Sequence, residues 1–292
     1  MRNAFIDELV KLARTDRSIA LVVGDLGYSV VEPFAEEFPE RFFNAGVAEQ
    51  NMIGLAAGMA SEGYHVFTYS IANFPTFRCA EQIRNDVDYH QLPVTIVAVG
   101  GGLSYGALGY SHHAIQDYAL IRSFPNMLLA APGDPFEVRS CLRYLVNNPQ
   151  PSYLRIGKAG EPYFHANPPT VSPGEWTLVK KGETPDRVLL STGSALKLAM
   201  SNISRYELED VSVYTLPLWG MKHKDSQSLH VSRFREVITF EDHLADGGFG
   251  SWMLEALHKT PQLRERITVR SLDPCVCGMV GSQDALNTAG GF

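Results

Sequence analysis

The sequence predicts an α/β protein of two domains, each a mostly parallel sheet covered by helices on both faces. Three observations carry that expectation. Short apolar segments alternate with helical ones along the first half, a proline-rich stretch interrupts the pattern, and the same alternation then restarts. Strands that are apolar throughout, not at every second residue, belong to sheets buried on both sides. A length of 292 residues suits two domains better than one.

In chain order, first-half strands are expected at residues 19–23, 66–69, 94–99, 127–131 and 153–156, each β-rich and bounded by Gly or Pro. Helices are expected between them at 51–61, 76–87, 114–123 and 135–147. The last opens with Asp134 as N-cap and Pro135 as first residue. Prolines at 162, 168, 169 and 173 mark a connection without periodicity, which sets expected domains of 1–165 and 166–292. Beyond it, strands are expected at 187–191, 211–215, 237–241 and 267–271, with helices at 194–202, 224–230 and 250–258.

Composition narrows the function. A net charge of -7 with no basic run argues against nucleic acid as partner. No window approaches about 18 uninterrupted apolar residues, so no membrane span is expected. Asp7 and Glu8 fall where a signal peptide would carry its apolar core. Of four cysteines, Cys275 and Cys277 are one residue apart, the wrong spacing for a redox or zinc pair. A reduced, cytoplasmic setting is expected.

Chemistry concentrates in three places. Glu49 puts a carboxylate at the start of a small-residue helix containing Gly54, Ala56, Ala57, Gly58 and Ala60. An acid there favours the positive helix end; in a tight apolar setting it also gains a raised pKa and can share a proton with a ring nitrogen. Phe74 and Phe77 stand three apart, on one helical face, as core residues or as a platform for a ring. The run from Gly100 to His113 directly follows the strand at 94–99, where open α/β sheets place ligands. Its glycines lack dinucleotide-binding spacing. His112 and His113 point apart and have no third ligand nearby, so acid–base work suits them better than metal.

The run Gly46-Val47-Ala48-Glu49-Gln50-Asn51 resembles the pyrimidine-binding segment of thiamine-diphosphate enzymes of the transketolase family. The resemblance implies that Glu49 hydrogen-bonds the aminopyrimidine and activates the cofactor, and that Phe74 and Phe77 line its pocket. In the loop, Gly106-Ala107-Leu108-Gly109-Tyr110-Ser111-His112-His113 is similar to the family's Gly-Glu-Asp-Gly-Pro-Thr-His-Gln. His112 thereby inherits the catalytic histidine, with His113 beside it, and Ser111 falls at a substrate-binding position. The family aspartate that contacts a substrate hydroxyl falls on Leu108, and a phosphate-contacting histidine on Gly100. Both losses weaken the case for ordinary pentose phosphates. Arg155 and Lys158 resemble substrate-phosphate ligands of the last strand, or are surface charges. Glu241-Asp242-His243 with Gly247-Gly248-Phe249-Gly250-Ser251 resembles the family's C-terminal domain.

The family's Gly-Asp-Gly motif and later asparagine, which hold Mg²⁺ and the diphosphate, have no match. Gly24-Asp25-Leu26 and Gly133-Asp134-Pro135 both fail the third position. The resemblance therefore implies the C-terminal subunit of a split transketolase. It would transfer a two-carbon ketol unit from sugar or keto substrates, with the metal held by an N-terminal partner in a heterotetramer of two plus two. The β-subunit of a 2-oxoacid dehydrogenase, or a related acyl-transferring enzyme, is the alternative. A non-catalytic subunit is a third reading, disfavoured by the intact Glu49 and His112.

Overall fold

The computed structural model describes residues 1–292, the side chain of Pro185 excepted. The first sheet contains β1 (Ile19–Val23), β2 (Phe42–Asn44), β3 (His65–Ile71), β4 (Val94–Val99), β5 (Leu128–Ala130) and β6 (Ser152–Ile156). The second contains β7 (Thr177–Lys180), β8 (Thr184–Ser191), β9 (Val211–Thr215), β11 (Glu236–Leu244) and β12 (Ile267–Leu272). The short β10 (Leu218–Trp219) returns to the first sheet, giving orders β10-β5-β6-β4-β3-β1-β2 and β12-β11-β8-β9-β7. Within these sheets, among the described residues, β10 on β5 and β7 on β9 pair antiparallel and the other strand pairs are parallel. Every residue of β1, β4 and β6 is buried, as a two-sided sheet requires.

The helices are α1 (Arg2–Thr15), α2 (Glu32–Glu37), α3 (Glu49–Ser61), α4 (Asn73–Phe77), α5 (Ala80–Gln82), α6 (Asp117–Ile121) and α7 (Pro135–Asn147). The second half adds α8 (Ala195–Ser201), α9 (Gln227–Ser232), α10 (Phe249–Ala256), α11 (Pro261–Arg264) and α12 (Gln283–Ala289). Met52, Ile53 and Ala56 of α3 join Tyr118 and Ile121 of α6 in the core on one face of the first sheet. Phe5 and Leu9 of α1 pack with Val138 and Leu142 of α7 on the other. Among the described residues no helix is long and apolar enough to cross a membrane.

Several expectations change. The helix expected at 76–87 is broken: α4 ends at Phe77, α5 follows Cys79, and residues 83–88 widen into a π-helical turn. Such turns are frequent near functional sites. Of 114–123 only α6 is helical, because Ala114 instead pairs with Gly102 as an isolated bridge. α1, α2, β2, β7 and β10 had no sequence counterpart. The glycine run is explained by close approach: a Cβ on Gly101 would strike the Arg155 guanidinium, and one on Gly102 the Asp242 carboxylate.

Candidate active site

The loops that follow β1, β3, β4 and β6 all leave the same edge of the first sheet, and the candidate residues gather there. Asn44, the last residue of β2, braces two of the turns. Its Oδ1 accepts from the backbone N–H groups of Asp25 (3.1 Å) and Gly46 (2.9 Å), and its Nδ2 donates to Asp25 Oδ1 (2.9 Å). Gly46, at φ +74°, then turns the chain into α3. Glu49 is the first residue of that helix and only 4% exposed. It lines an open cavity of about 440 Å³ with Val47, Ala48, Gln50, Asn51 and Arg78.

Arg78 has no role in the sequence reading. The break after α4 swings its side chain back, so that Nη1 donates to Glu49 Oε2 at 2.9 Å. The same guanidinium lies 4.3 Å from the centroid of the Phe74 ring, a cation–π contact. The edge of Phe74 meets His112, ring centroids 5.0 Å apart. Asn73 fixes this alignment by donating from Nδ2 to the Ser111 carbonyl at 2.8 Å. Glu49, Arg78, Phe74 and His112 are therefore one contiguous cluster drawn from three loops.

Ser111 Oγ lies 3.0 Å from His112 Nδ1, so its first contact is with the histidine, which it orients. Partial burial holds the His112 pKa below the usual imidazole value, with His113 and Arg78 adding repulsion to its charged form. The ring is thus neutral near pH 7 and able to accept a proton. The Tyr105 ring also neighbours His112 (6.3 Å between centroids), and Lys158 Nζ lies 4.9 Å from the Tyr105 ring. Tyr105, too, was passed over as part of a glycine loop.

Two expected site residues fall elsewhere. His113 is 1% exposed, and its Nε2 meets the Gly106 carbonyl at 3.4 Å, so it packs the inside of its loop and does not face a substrate. Arg155 is 1% exposed, with donors committed to Asp117 (2.8 Å), Asp242 (2.6 Å) and the Ala114 carbonyl (2.7 Å). It staples β6 to α6 and β11 and has no N–H to offer a phosphate. Phe77 is 43% exposed at the end of α4, and of the two phenylalanines it is Phe74 whose ring meets His112. Leu108 is an exposed apolar residue, 57% accessible.

Residues 1–160 match the family described as transketolase, pyrimidine binding domain. A subunit of the apulose-4-phosphate transketolase of Phocaeicola vulgatus is 33% identical over 266 residues, covering 89% of this chain and 84% of that protein. A putative transketolase C-terminal section from Methanocaldococcus jannaschii is 32% identical, covering 98% and 90%. Among solved structures, a split gene transketolase described as an inactive beta4 tetramer superposes with a TM-score of 0.82 at 29% identity, covering 99% of this chain and 92% of that one. The chain belongs to the transketolase family and corresponds to the C-terminal subunit of its split form.

Proposed function

We propose that this chain transfers a two-carbon ketol unit with thiamine diphosphate, and only when joined to an N-terminal subunit. The observation that carries the reading is the Glu49–Arg78–Phe74–His112 cluster. An aminopyrimidine needs a carboxylate for a ring nitrogen and an aromatic face for its plane. Here a flat guanidinium already satisfies both demands at once, so the side chains present fit the pyrimidine half of the cofactor. When bound, the cofactor supplies the nucleophilic carbon that carries the transferred unit.

The chain's own residues do the rest. Glu49 holds the proton shared with the aminopyrimidine, its burial making that hydrogen bond strong. Phe74 supports the ring. His112, oriented by Ser111, takes and returns substrate protons. Lys158, exposed beside Tyr105, is the cation left for a substrate phosphate now that Arg155 is committed elsewhere. Leu108 offers no acceptor to a sugar hydroxyl, so common pentose phosphates are poor substrates.

The diphosphate and Mg²⁺ belong to the partner, in a heterotetramer of two plus two. The relatives, one a transketolase subunit, one a C-terminal section and one a split gene product, support that division. The pyrimidine-binding domain is 1–165 and the transketolase C-terminal domain 166–292. A cytoplasmic setting accords with four unpaired cysteines among the described residues.

Titration calorimetry with Mg²⁺ and thiamine diphosphate tests the split. The chain alone offers one charge-assisted hydrogen bond and some stacking, a few kcal/mol at most, so weak or undetectable binding is expected. Addition of the N-terminal subunit should bring tight binding. Micromolar affinity in the chain alone contradicts the proposal.

A further inference from the structure

A cavity of about 390 Å³ lies where the first sheet's loops meet the second domain, and it shares no lining residue with the cavity at Glu49. Its walls are α8 with the turn that follows, α12, and the loops at Ser104 and at 158–161. Lys197 and Arg205 line it from the second domain, with Lys158 at the rim. Among the described residues none of these three cations is ion-paired: Lys158 and Arg205 rest on the rings of Tyr105 and Tyr206. Two acids also line the cavity. Glu161 is neutralised by the Met1 ammonium at 2.6 Å, and Asp284 stays exposed in the first turn of α12.

The uncharged lining is matched to a hydroxylated guest. Ser194 Oγ donates to Asp242 Oδ2 (3.0 Å), Ser201 Oγ to the Lys197 carbonyl (2.9 Å) and Asn202 Nδ2 to the Leu198 carbonyl (3.0 Å). With their hydroxyl protons spent inside the protein, Ser194 and Ser201 present oxygen lone pairs to the cavity, and Asn202 keeps its Oδ1 acceptor and one N–H beside them. Asn287, 5% exposed on α12, has a buried Oδ1 with no hydrogen-bond partner among the described residues. A buried acceptor left unpaired is costly and marks a place where a donor is missing. Cations together with surplus acceptors complement a molecule that has both an anionic group and several O–H donors.

We propose that this cavity binds a small hydroxylated organic phosphate, at a site separate from Glu49. Lys197 and Arg205 take the phosphate, and the Ser194, Ser201 and Asn202 oxygens take its hydroxyls. Ser104 precedes Tyr105, which contacts His112, so occupancy also braces the loop that carries the candidate catalytic histidine.

The test is calorimetry on the full chain without cofactor, using ribose 5-phosphate, ribose and inorganic phosphate as probes, with hydrogen exchange to locate binding. Ribose 5-phosphate should bind in the roughly 10⁻⁴–10⁻³ M range. Each fragment alone should bind at least about tenfold more weakly. Backbone protection should fall on residues 194–205 and 283–289, and K197A/R205A should lose about tenfold or more in affinity while Glu49→Gln binds unchanged. Both substituted cations are exposed, so the double variant should fold. No saturable binding overturns the proposal, as does equal binding of inorganic phosphate, an unaffected double variant, or protection confined to residues 100–113.

Discussion

Arg78 makes two contacts that the cofactor ring would have to take over: the Glu49 carboxylate and the Phe74 face. Half of its side chain is in solvent, so releasing the pair costs little, about 0.2–1 kcal/mol for an exposed partner and more for the buried acid. Arg78→Met in the assembled enzyme should therefore tighten thiamine diphosphate binding by about twofold to tenfold. Calorimetric Kd values decide this, and weaker binding would show that Arg78 holds Glu49 in place for the cofactor. The residue was within reach of sequence reasoning, since it stands four positions after Phe74, a helical neighbour. Its role was hidden because the helix breaks after Phe77 and turns the side chain toward a loop far away in sequence.

At the scale of elements, the most consequential junction is Arg155 between Asp117 of α6 and Asp242 of β11. Removing a buried charge whose partners stay behind costs roughly 3–5 kcal/mol. Arg155→Ala should lower the thermal midpoint strongly while leaving the substrate KM of the folded enzyme unchanged. A raised KM with an unchanged midpoint would restore the phosphate-binding role that its position on the last strand suggests. Elements whose signals are local were legible. α7 runs from Pro135 to Asn147 as expected, with Asp134 Oδ1 accepting from the Glu137 N–H at 2.8 Å. α1 was missed although Phe5, Leu9 and Ala13 carry the helical spacing of a buried face. β10 could not be read locally: two residues become a strand only because Leu129 and Ala130 supply an edge. The same holds for Arg155, whose partners come from remote elements.

Over the whole molecule, buried acids give stability an uncommon pH trend. Glu241 accepts from the Phe249 and Gly250 N–H groups at the start of α10, yet complete burial pushes its pKa up to about 8. Glu137, buried near His165 and bonded to Thr215 in the second sheet, rises to about 7. Both folded values lie above the ordinary 4.5, so the native state binds more protons than the unfolded chain. Their contribution is complete below that value and is lost as pH rises through 7 to 8. His65, pushed down to about 4 by burial, acts oppositely, but its contribution is complete by pH 6.5. Stability should therefore fall between pH 6.5 and 8, by an amount on the order of 1–4 kcal/mol. Denaturant unfolding across that range checks it, and Glu241→Gln should flatten the slope; an unchanged slope would assign the trend elsewhere.

Glu49, proposed as the carboxylate that activates the cofactor across a subunit boundary, is the residue on which the proposed function rests. Glu49→Gln keeps the shape of the side chain and removes its ability to accept the proton. Hydrogen–deuterium exchange at the thiazolium carbon of thiamine diphosphate, measured in the complex with the N-terminal subunit, reads that step without any substrate. The exchange rate should drop by about 10²-fold or more in the variant, the scale of a lost acid–base group. A rate equal to wild type would remove Glu49 from the chemistry and contradict the assignment.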